Sequence, residues 1–266
     1  MKRAVILLLS FAFVTAAAAQ DYGSKYRKQY EKEINGPHGE CAVAWRKLQD
    51  GLDYRTISCL GDDELDLHVV RIDPKKWVLD TSVIPRGATA RGAAKGADAD
   101  FAINANFFDA AREPMGVVVK SGTPISASRK TSWQSIFTLS ESGRARIVLP
   151  DAWRSIAGSS WMAVQAGPRL VTNGHMNEPR NTYAAPRAGV CIQWDRDLIF
   201  FATPATRKFH AREIAKVARR AEIDGGLACQ EAMLFDGGHS VNLFVDDEAL
   251  VSGDPVPVYV VAKPRQ

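Results

Sequence analysis

Strand-length apolar runs, each cut short by a turn or a charged residue, constrain this chain more than any other feature. Residues 65–73 alternate apolar and polar positions until Pro74, and Trp77-Val78-Leu79 resumes the pattern, which predicts an antiparallel hairpin. Residues 41–60 read as an earlier strand pair turning near Gln49-Asp50-Gly51. Further strands are expected at 116–122, 135–139, 145–149 and 161–171, the last ending at an Asn173-Gly174 turn. Two more, 190–194 and 198–202, are joined through Asp195-Arg196-Asp197, and 241–245 and 256–261 close the chain. Helical patterns are few. Residues 88–99 are small and glycine-interrupted, and 210–223 carry Ile214, Val217, Ala218 and Ala221 at amphipathic spacing before Gly225-Gly226. The expected fold is α+β: a mixed, mostly antiparallel β-sheet core with one or two packed helices in a single domain at 65–266. An N-terminal arm and strand pair at 20–64 precede it.

Within this pattern, residues 230–242 stand out. Ala232-Met233-Leu234-Phe235 is a buried-strand run that stops at Asp236. Gly237-Gly238 then free the backbone for a tight turn or a close ligand approach, and His239, Ser240 and Asn242 follow at once. A carboxylate at a strand end beside glycines and three polar side chains suits a binding or catalytic site. It suits equally a strand that ends in an Asp-Gly turn facing water.

The first residues bear on compartment. Lys2-Arg3, an apolar run over 4–14 and Ala16-Ala17-Ala18-Ala19 have the form of a secretory signal peptide spanning 1–19. That run falls short of the roughly 20 residues a bilayer span needs, and no later stretch is apolar enough to cross a membrane. The mature protein is therefore expected to be periplasmic or secreted. Cleavage lowers the formal net charge from +4 to about +2, and without a dense Lys/Arg stripe the chain does not read as a nucleic-acid binder. Four cysteines fit an oxidising compartment. Proximity favours Cys41–Cys59 across the first hairpin and Cys191–Cys229 as the second bridge, although four cysteines allow three pairings. The absence of a Cys-x-x-Cys pair argues against structural zinc. Oligomeric state is not legible.

Four polar clusters interrupt the strands: Asn104/Asn106/Asp109, residues 165–169, Arg187, and residues 236–242. All fall at strand ends or turns, where sites are commonly displayed. Buried amides such as Asn104 and Asn106 are costly without partners, so they either face solvent or belong to a hydrogen-bonded site. Gln165 and Arg169 read as structural, and Trp133, Trp153 and Trp161 as core.

In sequence order, Asn-Ala-Asn-Phe-Phe-Asp (104–109), Ala-Gly-Pro-Arg-Leu-Val-x-x-Gly (166–174), Pro-Arg-Ala-Gly-Val (186–190) and Leu-Phe-Asp-Gly-Gly-His-Ser (234–240) resemble the phosphodiester glycosidase family. The family's best-known activity removes N-acetylglucosamine from a phosphodiester. Asn104, Asn106 and Asp109 match its first motif, Arg187 its Pro-Arg motif, and Asp236, Gly237, Gly238 and Ser240 its Asp-Gly-Gly signature. The chain departs from the pattern at His239, where a third glycine is usual, and at Ala188, where threonine is common. The resemblance implies a hydrolase acting on a phosphorylated sugar or polysaccharide.

Such a reaction expels a phosphomonoester, a weakly basic leaving group, so it depends less on a strong general acid than ordinary glycoside cleavage does. Arg187 is the expected phosphate anchor, through bidentate hydrogen bonding. Asp236 is the expected carboxylate facing the developing oxocarbenium or activating water, with Asp109 second and His239 as a neighbouring titratable group. Asn104, Asn106, Gly237, Gly238, Ser240 and Asn242 are the expected substrate contacts. No cofactor is expected, although a divalent cation at Asp109, Asp236 and His239 stays open because their spacing is not diagnostic. Two other readings also stay open: a non-catalytic polysaccharide-binding or assembly accessory protein, and a metal-dependent phosphodiesterase.

Overall fold

The computed structural model describes residues 44–60, 63–179, 183–195 and 197–266. Strands β1 (Arg46–Gln49), β2 (Leu52–Leu60), β3 (Asp63–Ile72) and β4 (Trp77–Ala88) lead into helix α1 (Ala90–Gly96). Next come β5 (Phe101–Asn104), β6 (Val118–Lys120), β7 (Thr123–Ser126), β8 (Ser135–Leu139) and β9 (Ala145–Val148), then the single turn α2 (Pro150–Trp153). After β10 (Met162–Ala166), β11 (Arg169–Thr172), β12 (His175–Met176), β13 (Ala188–Ile192) and β14 (Leu198–Ala202), helix α3 spans Ala211–Arg219. The chain ends with β15 (Glu231–Leu234), β16 (Leu243–Val245), β17 (Glu248–Val251) and β18 (Val256–Pro264).

These strands form three sheets. Eight are ordered β1-β2-β3-β14-β13-β15-β11-β12, five β7-β6-β10-β8-β9, and five β17-β16-β5-β18-β4. Every ladder among the described residues is antiparallel. Among the described residues about 45% are strand and the three helices are short, so the expected α+β class with a mixed sheet is corrected to a mainly β, antiparallel fold. The reason is in the burial. Val70, Phe200, Val190 and Met233 of the large sheet meet Phe137, Val164, Ile103 and Val258 of the two smaller sheets in one shared core. Sheet thus covers sheet, and helices are needed only on outer faces.

Helix α3 supplies one such cover. Ile214, Ala215, Val217 and Ala218 pack on Val69, Ile199, Phe201 and Leu234, which point out of the opposite face of the large sheet. Strands buried on both faces read as continuous apolar runs, which is why Leu198-Ile-Phe-Phe-Ala202 shows no alternation. At the helix start the Glu213 carboxylate accepts from the His210 amide at 2.5 Å and occupies one of the unpaired donors there.

The β1–β2, β13–β14 and β11–β12 hairpins fall where the sequence puts them. One hairpin does not form. β3 lies between β2 and β14, whereas β4 pairs with β18 in another sheet. The turn closed by the Trp77 amide on the Asp73 carbonyl delivers Trp77 into the shared core, 1% exposed, and carries the chain across from one sheet to the next. The Cys191–Cys229 disulfide is present, with Cα atoms 5.5 Å apart. The signal peptide at 1–19 and Cys41, hence the Cys41–Cys59 pairing, lie outside the described residues. Among those residues no helix is long and apolar enough to cross a membrane.

Candidate active site

The apolar run 232–235 is the spine of the site because it fills the middle of the large sheet. Met233 pairs with Val190 on β13 and with Arg169 on β11. At the strand's end the Phe235 amide donates to the Ala188 carbonyl (2.8 Å), and the Asp236 amide donates instead to Ala105 of the 104–109 motif (2.9 Å). The Gly238 amide then donates to the Pro186 carbonyl (2.9 Å). Segments 104–106, 186–188 and 235–240 are thereby tied into one corner, although residues 107–185 separate the first two in sequence.

Gly237 sets the spacing within that corner. A Cβ there would lie 2.8 Å from the Pro186 carbonyl oxygen, a distance no side chain tolerates, and 3.6 Å from Arg187 Nη1. The guanidinium therefore lies beside the residue that follows Asp236. Gly238 adopts φ +66° with nothing within 4 Å of where its Cβ would stand, so the backbone turns here under open space.

Arg187 is 6% exposed. Its Nε donates to the Phe209 carbonyl (2.9 Å), Nη2 to the Tyr183 carbonyl (2.8 Å), and its carbon Cζ lies 5.4 Å from the centre of the Tyr183 ring. Its amide donates to Thr203 Oγ1 (2.8 Å). Burial lowers its pKa from the usual arginine value, offset in part by Tyr183 and Glu213. Burial also pushes the Asp236 carboxyl up to about 6, against the opposing pull of the Ser240 hydroxyl and the Gly237 amide. The corner thus holds a cation against the backbone of Gly237 and, one residue earlier in the chain, a readily protonated acid.

The amides brace it. Asn104, 1% exposed, donates from Nδ2 to the Asp236 carbonyl (2.7 Å) and accepts at Oδ1 from the Asn242 amide (3.0 Å). Asn242 donates to the Ser240 and Asp254 carbonyls (3.2 and 2.9 Å) and accepts from the Gly253 amide (3.2 Å). Asn106 donates to the Val117 carbonyl (2.9 Å), while its buried Oδ1 has no partner.

Two predicted residues stand differently. Asp109 is exposed, and its Oδ1 accepts from the Ala111 and Glu113 amides at 2.9 Å, so the carboxylate caps its own turn. His239 is exposed, and its carbonyl accepts from the Asp254 amide (2.7 Å). Asp109, Asp236 and His239 do not gather as ligands; among the described residues no three His, Cys, Asp or Glu do so closely enough to hold a metal ion.

Gln165 is fully buried, joining Val117, Arg129 and Gln134, and Arg169 pairs with Glu231, both as read from sequence. Trp153 is core, but Trp133 is 50% exposed, contrary to expectation. Tyr183, Thr203 and Phe209, which hold Arg187, were not singled out. Two of them act through main-chain carbonyls, which leave no residue signature.

No curated protein sequence matches the chain. Among solved structures, a hypothetical protein from Synechocystis superposes with TM-score 0.64 at 13% identity, over 87% of this chain and 64% of that one. The chain thus spans just under two thirds of that protein's length. The zebrafish N-acetylglucosamine-1-phosphodiester alpha-N-acetylglucosaminidase catalytic domain, auto-inhibited by its pro-peptide, gives 0.66 at 12% identity, covering 84% of this chain and 87% of that one. A Burkholderia pseudomallei K96243 protein inferred to be exported gives 0.51 at 13%, over 78% and 76%. At such identities these likenesses speak for the fold. The sequence profile of the phosphodiester glycosidases matches residues 97–261, which include Asn104, Arg187 and Asp236, and the chain belongs to the phosphodiester glycosidase family.

Proposed function

We propose that this chain is an exported hydrolase that cleaves the glycosidic C–O bond of a sugar-1-phosphodiester in an envelope or extracellular glycan. The observation that carries this reading is the approach of the Arg187 guanidinium to Gly237, the residue next to the buried carboxyl of Asp236. A guanidinium there would neutralise the bridging phosphate. Cleavage of the C1–O bond sends its electron pair to the phosphate oxygen, and Asp236, ionised above pH 6 or so, faces the positive charge left on the ring. Water then adds to C1 and its proton passes to Asp236 or to solvent. Ser240 orients the carboxylate; Asn104 and Asn242 hold the backbone that carries it. The unpartnered Asn106 Oδ1 is buried, so it would accept from a sugar hydroxyl only if the loop bearing it opens. Asp109 supports the loop bearing Asn106.

The zebrafish relative acts on an N-acetylglucosamine phosphodiester, so an N-acetylhexosamine is the first sugar to try. Export is supported by the signal-like residues 1–19, the Cys191–Cys229 bridge and the Burkholderia neighbour inferred to be exported. The deciding experiment incubates the mature protein with such a substrate in oxygen-18 water. Label in the released sugar is expected. Label in phosphate would instead establish a phosphodiesterase, and binding without turnover an accessory role. A parallel incubation with EDTA tests for a required cation.

A further inference from the structure

We infer that Trp133, braced by Phe107, is the stacking platform for the sugar ring whose anomeric carbon faces Asp236. This rests on the glycosidase reading and adds where the ring lies. The argument begins with strand order. β15, which ends two residues before Asp236, runs between β13 and β11. Arg187 immediately precedes β13 on one side. On the other, the Pro168 carbonyl just before β11 accepts from the Leu234 amide (3.0 Å), and a Cβ on Gly167 would lie 2.6 Å from the Trp133 carbonyl.

Arg187 and the Gly167-Pro168 segment, which the Trp133 carbonyl abuts, therefore flank the end of β15 from opposite sides, their backbones two strand spacings or roughly 9–10 Å apart. With phosphate at Arg187 and C1 at Asp236, the pyranose extends away from the guanidinium, toward Trp133. The second approach to Trp133 agrees. Ala105 receives the Asp236 amide, and Phe107, two residues on, meets the Trp133 ring edge-on with centroids 5.3 Å apart.

The indole is 50% exposed, yet its loop is held firmly. The Gln134 amide donates to Thr131 Oγ1 (3.2 Å), and the buried Gln165 ties Arg129 and Gln134 together. An exposed aromatic on a fixed loop presents a flat apolar surface at little entropic cost, which suits the C–H face of a pyranose.

The test uses two probes that divide the substrate: free N-acetylglucosamine for the ring and methyl phosphate for the anion, as inhibitors of turnover. Trp133→Ala should raise the sugar's Ki about tenfold and leave that of methyl phosphate within about twofold, while Trp133→Phe keeps most of the sugar affinity. Equal weakening of both probes, or an unchanged sugar Ki, overturns the platform. Where the protein turns nothing over, the glycosidase reading fails by itself. Direct titration of the same probes, followed by NMR, then decides the platform: loss of sugar binding in Trp133→Ala alone supports it, and equal binding in wild type and variant, or none in either, rejects it.

Discussion

Replacing Asp236 by Asn should abolish turnover and at the same time make the protein more stable at neutral pH. Burial lifts the carboxyl from 3.8 to about 6, so the folded protein holds a proton that the unfolded chain releases. With a raised folded pKa, the stabilising contribution of the neutral acid is complete below about pH 4 and lost as pH rises through 6. About two pH units at roughly 1.4 kcal/mol each amount to about 3 kcal/mol at pH 7.5. The Asn variant avoids that penalty at every pH, less what it loses in its bond to Ser240. For a domain of this size each kcal/mol moves Tm by about 2–4 °C, so a gain of about 5 °C is expected at pH 7.5 and almost none at pH 4. Asp197, also pushed to about 6 by burial and by Asp195, titrates in the same window but is common to both proteins and cancels in the difference. Circular-dichroism melts of the two proteins from pH 4 to 8 measure the gap. In wild type, kcat/KM should rise with pH through about 6 as the carboxylate forms. A variant no more stable than wild type at pH 7.5, with a gap indifferent to pH, would refute the claim that the fold holds this charge at a cost.

Arg187→Ala should lower turnover by about 100-fold or more and destabilise the protein by roughly 2 kcal/mol, since the Phe209 and Tyr183 carbonyls lose their buried donor. Wild-type turnover would remove Arg187 from the site. Gly237→Ala should cost several kcal/mol through its clash with the Pro186 carbonyl, whereas Gly238→Ala, strained only by its φ, should cost about 1 kcal/mol. Equal losses in urea denaturation would contradict that division. Replacing Cys191 and Cys229 by Ala should cost about 4 kcal/mol from a loop of 38 residues, and a loss below about 1 kcal/mol would show that the bridge closes nothing the fold does not already close.

Strand positions were legible because alternation and turn residues act locally. The Asn173-Gly174 turn and the β13–β14 hairpin needed nothing from elsewhere in the chain. Partner choice was not local. The pattern over β3 and β4 says which residues are buried but not which sheet buries them, and Trp77 settles that by seating in a core assembled from all three. The site divides along the same line. Motif order marked Asn104, Arg187 and Asp236, while the acceptors that hold Arg187 are carbonyls that any residue could supply. The amides were harder to read because one chemistry serves two ends: Asn104 and Asn242 could as well bind sugar hydroxyls as backbone, and the fold commits their side chains to backbone. This bracing has a consequence for how the corner works. Asn104 grips the carbonyl of Asp236, and the bare backbone of Gly237 admits the Pro186 carbonyl, so acid and guanidinium are set by main-chain contacts made before any ligand arrives. A corner built this way keeps its charges in place when Ser240 or His239 changes, but loses their spacing with a single methyl group at Gly237.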